Sequence, residues 1–178
     1  MAGGVSLWRA PADCVRFGVH GLKGKYDLVL SGINRGYNLG DDIVYSGTCG
    51  AIFEGARLGI NGIAISTEPQ NLMNAPEALD RVWNYIVENG LYSYNQLYNV
   101  NIPPTPNEIC ITKQGGMYYC DTFLNKAGRM YVQSGEIKKD SGTDPTTDIN
   151  TVRRGDISIT PLIASRTELS VFEKLKSL

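Results

Sequence analysis

Histidine is nearly absent: His20 is the only one in 178 residues. A Ser-His-Asp triad would have to run through it, and a site built on two histidines is excluded. It stands between Val19 and Gly21, where a helix is expected to end and its partial charge suits the helix dipole. Cysteine is sparse as well. Cys14, Cys49, Cys110 and Cys120 form no Cys-x-x-Cys pair, which argues against a zinc ribbon or a thioredoxin-like centre and reads as buried thiols of a reducing compartment. No charge of one sign prevails, since 17 Lys and Arg stand against 18 Asp and Glu, so no basic field exists to attract a nucleic acid polymer. No apolar run approaches the ~20 residues that span a bilayer, and no apolar segment follows a basic start. No membrane partner is expected, and the expected location is cytoplasmic.

What is present suits one globular core. At 42% hydrophobic content the chain can bury a sizeable interior, so a single domain over 1–178 is expected, with an α/β part over 1–105 and a hairpin, loop, last strand and tail helix over 106–178. Pro11 and Asp13 suit the first turn of a helix over 11–20, stopped by Gly21. Residues 26–31, Tyr-Asp-Leu-Val-Leu-Ser, read as a strand covered on both faces, followed by a glycine-rich loop over 32–45. Ser46 is a good N-cap for a helix over 47–58 closed by Gly59, and 62–66 is a second apolar strand. Strand, loop, helix and strand in that order make a βαβ unit with parallel strands.

Asn74, Pro76 and Glu77 are the N-cap, first-turn proline and capping-box glutamate of a helix over 75–88, with Leu79, Val82, Trp83, Ile86 and Val87 on its apolar face. Asn89-Gly90 ends it, and a strand over 98–102 precedes the Pro103-Pro104 break. Beyond Glu108 the pattern alternates, with Ile109, Ile111, Tyr118, Thr122, Met130 and Val132 in runs separated by Gly115-Gly116 and by 125–128, which reads as hairpins. A polar loop over 138–147, a brief helical turn ending at Gly155, a strand over 156–162 and a short helix over 168–178 with Leu169, Phe172 and Leu175 on one face complete the chain.

Chemistry concentrates in 31–48. This stretch lies at the carboxyl end of a parallel strand, where open α/β sheets bind ligands. Glycines at 32, 36 and 40 allow close main-chain approach, Asn34 and Asn38 offer amide groups, and Ser46, Gly47 and Thr48 are expected to present unpaired N–H groups at a helix start. Together they describe an anion site, the alternative being a structural turn. A Walker loop is excluded because no lysine lies between Lys25 and Lys113, and a dinucleotide fingerprint fails because the glycines are four apart.

These residues resemble a known family. Asp27-Leu-Val-Leu-Ser-Gly-Ile-Asn34, Gly36-x-Asn38-x-Gly40-Asp-Asp42, Tyr45-Ser-Gly-Thr48 and Glu54-Gly55 are similar to the SurE survival-protein family. The likeness extends to Pro11-Ala-Asp-Cys-Val15, Asn99-Val-Asn-Ile-Pro103, Gly142-Thr-Asp144 through Asp148, and Ser158-Ile-Thr-Pro-Leu162. It implies a three-layer α/β/α, Rossmann-like parallel sheet with C-terminal hairpins and a terminal helix for oligomerisation. It also implies a metal-dependent phosphomonoesterase acting on nucleoside 5′- or 3′-monophosphates, assembled as a homodimer or homotetramer.

In the family the cation, Mg²⁺ or Mn²⁺, is held by two aspartates of an Asn-Asp-Asp motif, a serine from a following loop, and the asparagine of Ser-Gly-Ile-Asn. The last of these matches Asn34. The resemblance therefore assigns Asn34 to the metal, Asn38 to substrate or phosphate, and Ser46, Gly47 and Thr48 to a phosphate cradle. Asn34, Asn38 and Asp42 are the candidates for catalysis, Asp42 either orienting water or metal or, as its bland alternative, fixing the loop and favouring the following helix dipole. Residues 1–10 contain neither the Asn-Asp-Asp motif nor the serine loop. The expectation is a chain without the family's first strand, with an unpaired sheet edge. The alternative function is a catalytically inactive fragment serving only as an oligomerisation or nucleotide-binding module.

Overall fold

The computed structural model describes residues 9–72 and 75–178. Helix α1 (Pro11–Arg16) begins with proline at its first position, where the missing N–H costs nothing, and continues into a π turn over Phe17–Gly21 that carries His20 at its end. Strand β1 (Leu28–Arg35) leads through a 3₁₀ turn (Gly40–Tyr45) into α2 (Gly47–Arg57), and β2 (Asn61–Thr67) returns parallel to β1. Helix α3 (Ala75–Glu88) then leads to β3 (Leu97–Ile102), parallel to β2. The later elements are β4 (Ile109–Ile111), the hairpin β5 (Tyr119–Ala127) and β6 (Met130–Ile137), α4 (Asp148–Arg153), β7 (Ile157–Leu162) and α5 (Leu169–Leu175).

The main sheet has the order β1-β2-β3-β7-β4. Its first three strands are parallel, β7 runs antiparallel to β3, and β4 runs parallel to β7. The core divides by strand parity. Ile63, Ile65, Tyr98, Val100, Ile102, Ile157 and Ile159 pack with Ala78, Val82 and Ile86 of α3. The alternate residues Ala64, Leu97 and Leu162 pack with Cys49 and Ile52 of α2, beside which α1 lies. Alternation along strands buried on both faces thus yields three layers, helix, sheet and helix. No helix among the described residues is long and apolar enough to cross a membrane.

Several local expectations change. Strand β1 extends through Gly32 to Arg35, absorbing the first part of the expected loop, with a register shift between Ser31 and Asn34 and a cis peptide at Gly32–Ile33. Ile109 and Ile111 belong to the main sheet and not to a hairpin, because β4 finds β7 as its partner. On α3 the buried stripe is Ala75, Ala78, Val82 and Ile86, whereas Trp83 and Val87 are 42% and 57% exposed. The sequence pattern weighted the large residues, while the small alanines are what let α3 approach the sheet. The N-cap expected at Asn74 lies outside the described residues. Of the four thiols only Cys49 is buried, and Cys14 is exposed.

At Gly32 the main chain has little freedom. Its φ is +134°, and a Cβ there would drive into the carbonyl of Ile65 on the neighbouring strand. Gly32→Ala is expected to lower stability by about 2–4 kcal/mol, combining backbone strain with overpacking. Urea denaturation checks this, and a variant as stable as the parent would contradict the close β1–β2 approach.

Candidate active site

Buried amides on β3 determine the path of the loop after β1. Asn99 and Asn101 alternate with Tyr98, Val100 and Ile102, so they share the α2-facing side with Leu97. Asn101 pairs with the main chain of Asn38 in both directions: its Oδ1 accepts the Asn38 N–H at 2.9 Å and its Nδ2 donates to the Asn38 carbonyl at 2.9 Å. Asn99 Nδ2 donates to the same carbonyl at 2.8 Å. The Asn38 side chain donates in turn from Nδ2 to the hydroxyl of Ser66 on β2. All four residues are buried. Any one of these groups left alone there would cost about 1–3 kcal/mol, so each confines its partners to one arrangement.

A second anchor is Asp148, the fully buried first residue of α4. Its Oδ2 accepts the Gly40 N–H at 2.8 Å, and its Oδ1 accepts those of Gly115 and Ile149, each at 2.8 Å. Burial pushes its pKa up, against the pull of these N–H donors. Gly40 adopts φ +53°, and the carbonyl of Gly116 occupies the space a Cβ would need. That carbonyl accepts the Asp41 N–H at 3.0 Å. Asp42 Oδ2 accepts the Tyr119 N–H at 2.9 Å, fastening the loop to the first residue of the hairpin. Burial also raises the pKa of Asp42.

Between loop and hairpin lies an open cleft of about 600 Å³. Asn38, Asp42 and Ser46 line it from the loop, and Tyr119, Asp121, Phe123 and Gln133 from the hairpin. Three of the sequence candidates therefore meet in one cleft. Asn34, Gly47 and Thr48 do not line it: Asn34 is the penultimate residue of β1, where its Nδ2 donates to the Gly36 carbonyl at 2.8 Å, and Pro11 of α1 lies against Gly47.

The expectation of free N–H groups needs one correction. The Ser46 N–H is spent on the Ile43 carbonyl at 3.0 Å, because the preceding 3₁₀ turn continues to it, and its hydroxyl accepts the Cys49 N–H at 3.0 Å as N-cap. For donation to a ligand Ser46 keeps only its hydroxyl proton. The Gly47 and Thr48 N–H groups have no acceptor among the described residues, as expected of the first turn of α2.

The donor set does not by itself fit a divalent cation. Among the described residues no group of three or more His, Cys, Asp or Glu side chains converges. What the loop offers is the amide oxygens of Asn34 and Asn38 and the Asp42 carboxylate, one of whose oxygens is engaged by Tyr119. Hard cations of the Mg²⁺ type bind through one or two carboxylates, which amides do not replace.

Sequence reasoning gave no site role to Ser66, Asn99, Asn101 or Asp148, although the last three lie in stretches that carry the family likeness. One signal was available for two of them: Asn99 and Asn101 are spaced by two in an otherwise apolar strand, which puts two amides on one buried face.

Because burial raises the pKa of Asp148, the folded chain holds that proton more tightly than the unfolded chain. Its contribution to stability is complete below the ordinary carboxylate range and is lost as pH rises through the raised value. Asp148→Asn is expected to abolish this pH-dependent step. It should also lower stability by about 1–3 kcal/mol, because an amide NH₂ cannot accept from the main-chain N–H groups it would face. Urea denaturation of both proteins across that pH range checks both effects, and parallel pH profiles would refute the first.

Comparison with known proteins finds relatives of the whole described fold. A family model described as Survival protein SurE matches residues 4–121. The 5′-nucleotidase SurE of Geotalea uraniireducens (strain Rf4) is 39% identical over 178 aligned residues, covering 93% of this chain and 71% of that protein. The 5′-nucleotidase SurE of Caldanaerobacter subterraneus subsp. tengcongensis is 37% identical, covering 94% of this chain and 69% of that protein. Among solved structures, the SurE protein from Aquifex aeolicus superposes with a TM-score of 0.74 at 35% identity, covering 94% of this chain and 72% of that one. With its helix-flanked sheet, its anchored asparagine loop and relatives of this closeness, the chain belongs to the SurE survival protein family.

Proposed function

We propose that this chain acts as a phosphomonoesterase on nucleoside 5′- or 3′-monophosphates. The observation that carries the reading is the cleft in which Asn38, immobilised by Asn99, Asn101 and Ser66, meets Ser46 at the carboxyl ends of parallel strands. Relatives bearing the name 5′-nucleotidase support it. In this reading the second Asn38 Nδ2–H and the Ser46 hydroxyl proton are donated to phosphate oxygens. Because the main chain of Asn38 is already fixed, little reorganisation accompanies the build-up of charge.

Among the described residues the cleft wall carries Asp42 and Asp121 and no lysine or arginine, so a phosphate dianion needs compensating positive charge there. A divalent cation, Mg²⁺ or Mn²⁺, is what the family implies, and Asn34, the one family ligand that matches in this chain, stands outside the lining of this cleft. Phosphate release from AMP, with Mn²⁺ supplied, tests the reading. The parent protein is expected to turn over, and Asn38→Ala, checked for retained fold by circular dichroism, is expected to lose about a hundredfold in rate. Absence of phosphate release from the parent would refute the proposal.

Assembly with further copies of the chain is the second part of the proposal. Leu169, Phe172 and Leu175 of α5 are 64%, 51% and 54% exposed, and Leu124 and Val132 stand exposed as a cross-strand pair of the hairpin. Short helices and isolated hairpins are marginal in water without a partner surface, so a homodimer or homotetramer is the reading this exposure favours. Phe172→Glu with Leu175→Glu is expected to shift the mass by light scattering toward the monomer. A monomeric parent would refute the assembly without touching the catalytic reading.

A further inference from the structure

One wall of the cleft has a composition that phosphate chemistry does not require. Tyr119, Asp121 and Phe123 follow one another at every second residue of β5, so the hairpin turns a single face to the loop. Gln133 completes that face, because it is paired directly opposite Phe123. The other face carries Leu124 and Val132, the pair offered to a second copy. The two faces therefore serve different ends.

The cleft-facing side combines two aromatic rings with a polar edge. Phe123 is 65% exposed, so its ring is open to a flat ligand, while Tyr119, 37% exposed, lies with its ring against Gly135 at the cleft edge. Gln133 Nε2 donates to Asp121 Oδ1 at 2.7 Å across the hairpin, which orients the carboxamide. One Nε2–H and the Oε1 acceptor of Gln133 remain for a ligand. The wall is also fixed relative to Asn38, since the Asp42–Tyr119 bond fastens the hairpin to the loop that carries Asn38.

Resting on the nucleotidase reading, we propose that this hairpin face is a nucleobase subsite selecting 6-aminopurines over 6-oxopurines. The phosphate lies at the Asn38 and Ser46 end of the cleft, and the base reaches the other wall, where Phe123 offers its ring for stacking. Gln133 pairs with a base edge that places an amino donor beside a ring-nitrogen acceptor, as adenine does with N6 and N7. A 6-oxopurine presents two acceptors at that edge, leaving Gln133 Oε1 facing oxygen. The Asp121 carboxylate, acceptor-only, adds to the same bias and repels a phosphate from this end.

The test measures kcat/KM for AMP, IMP and ribose 5-phosphate, together with the affinity for adenosine by calorimetry, in the parent, Phe123→Ala and Gln133→Ala. Loss of the stacking ring is expected to lower kcat/KM for AMP and weaken adenosine binding about tenfold, leaving ribose 5-phosphate unchanged. Gln133→Ala is expected to collapse an AMP-over-IMP preference of about three- to tenfold, the size of a hydrogen bond in an open cleft. An unchanged ratio of AMP to ribose 5-phosphate in Phe123→Ala, or equal adenosine affinities, would overturn the subsite. A parent that hydrolyses none of the phosphates would refute the nucleotidase reading, and the adenosine titration would still decide the subsite.

Discussion

The functional end of this protein depends on the pairing of one side-chain amide with one peptide group. Asn101 engages both the N–H and the carbonyl of Asn38, and Asn99 reinforces the carbonyl. These amides belong to a strand buried along its whole length, so none of them can fall back on water. In such a setting an unmade bond costs more than a made one contributes. The network therefore acts less as a source of stability than as a selector of a single loop conformation.

Everything else at the site is referred to that fixed peptide. Two residues beyond Asn38 the loop meets Asp148, which holds Gly40 and Gly115 together, and the backbones touch where Gly40 faces Gly116. The hairpin leaves from this junction, held at Tyr119 by Asp42. The cleft is thus bounded by two walls whose separation is set by hydrogen bonds, those to Asp148 buried or partly buried and the Asp42–Tyr119 bond exposed, rather than by the hairpin's own packing. This division leaves the hairpin with one face turned to the cleft and the other, with Leu124 and Val132, exposed.

Much of the architecture was legible from hydrophobic periodicity and punctuation. The βαβ unit was readable because the strands are short apolar runs, Ser46 is a helix N-cap, and Gly59 adopts φ +75° just past the helix end. Where the reading slipped, the cause was tertiary. Strand β1 continues through Gly32 because β2 approaches closely enough to pair with it, and β4 joins the sheet because β7 returns beside it. Neither partner is visible locally, and a three-residue strand has no preference strong enough to declare its neighbour.

The site divides in the same way. The linear motif over 31–48 identified Asn34, Asn38, Asp42 and the helix start as the chemical segment, because glycine spacing, amide side chains and a cap are local properties of a chain leaving a strand. It could not show that the Ser46 N–H is already spent, nor that Asn38 is held from β2 and β3 and Gly40 from α4. The bonds to Asn38 and Gly40 join residues 28 to 108 positions apart, and only the packing of the strands and α4 brings them within reach. Composition and local pattern determined the layers and the segment that carries chemistry. The folded chain alone decided which of those groups remain free for a ligand, because a hydrogen-bonding group's availability depends on what surrounds it in space.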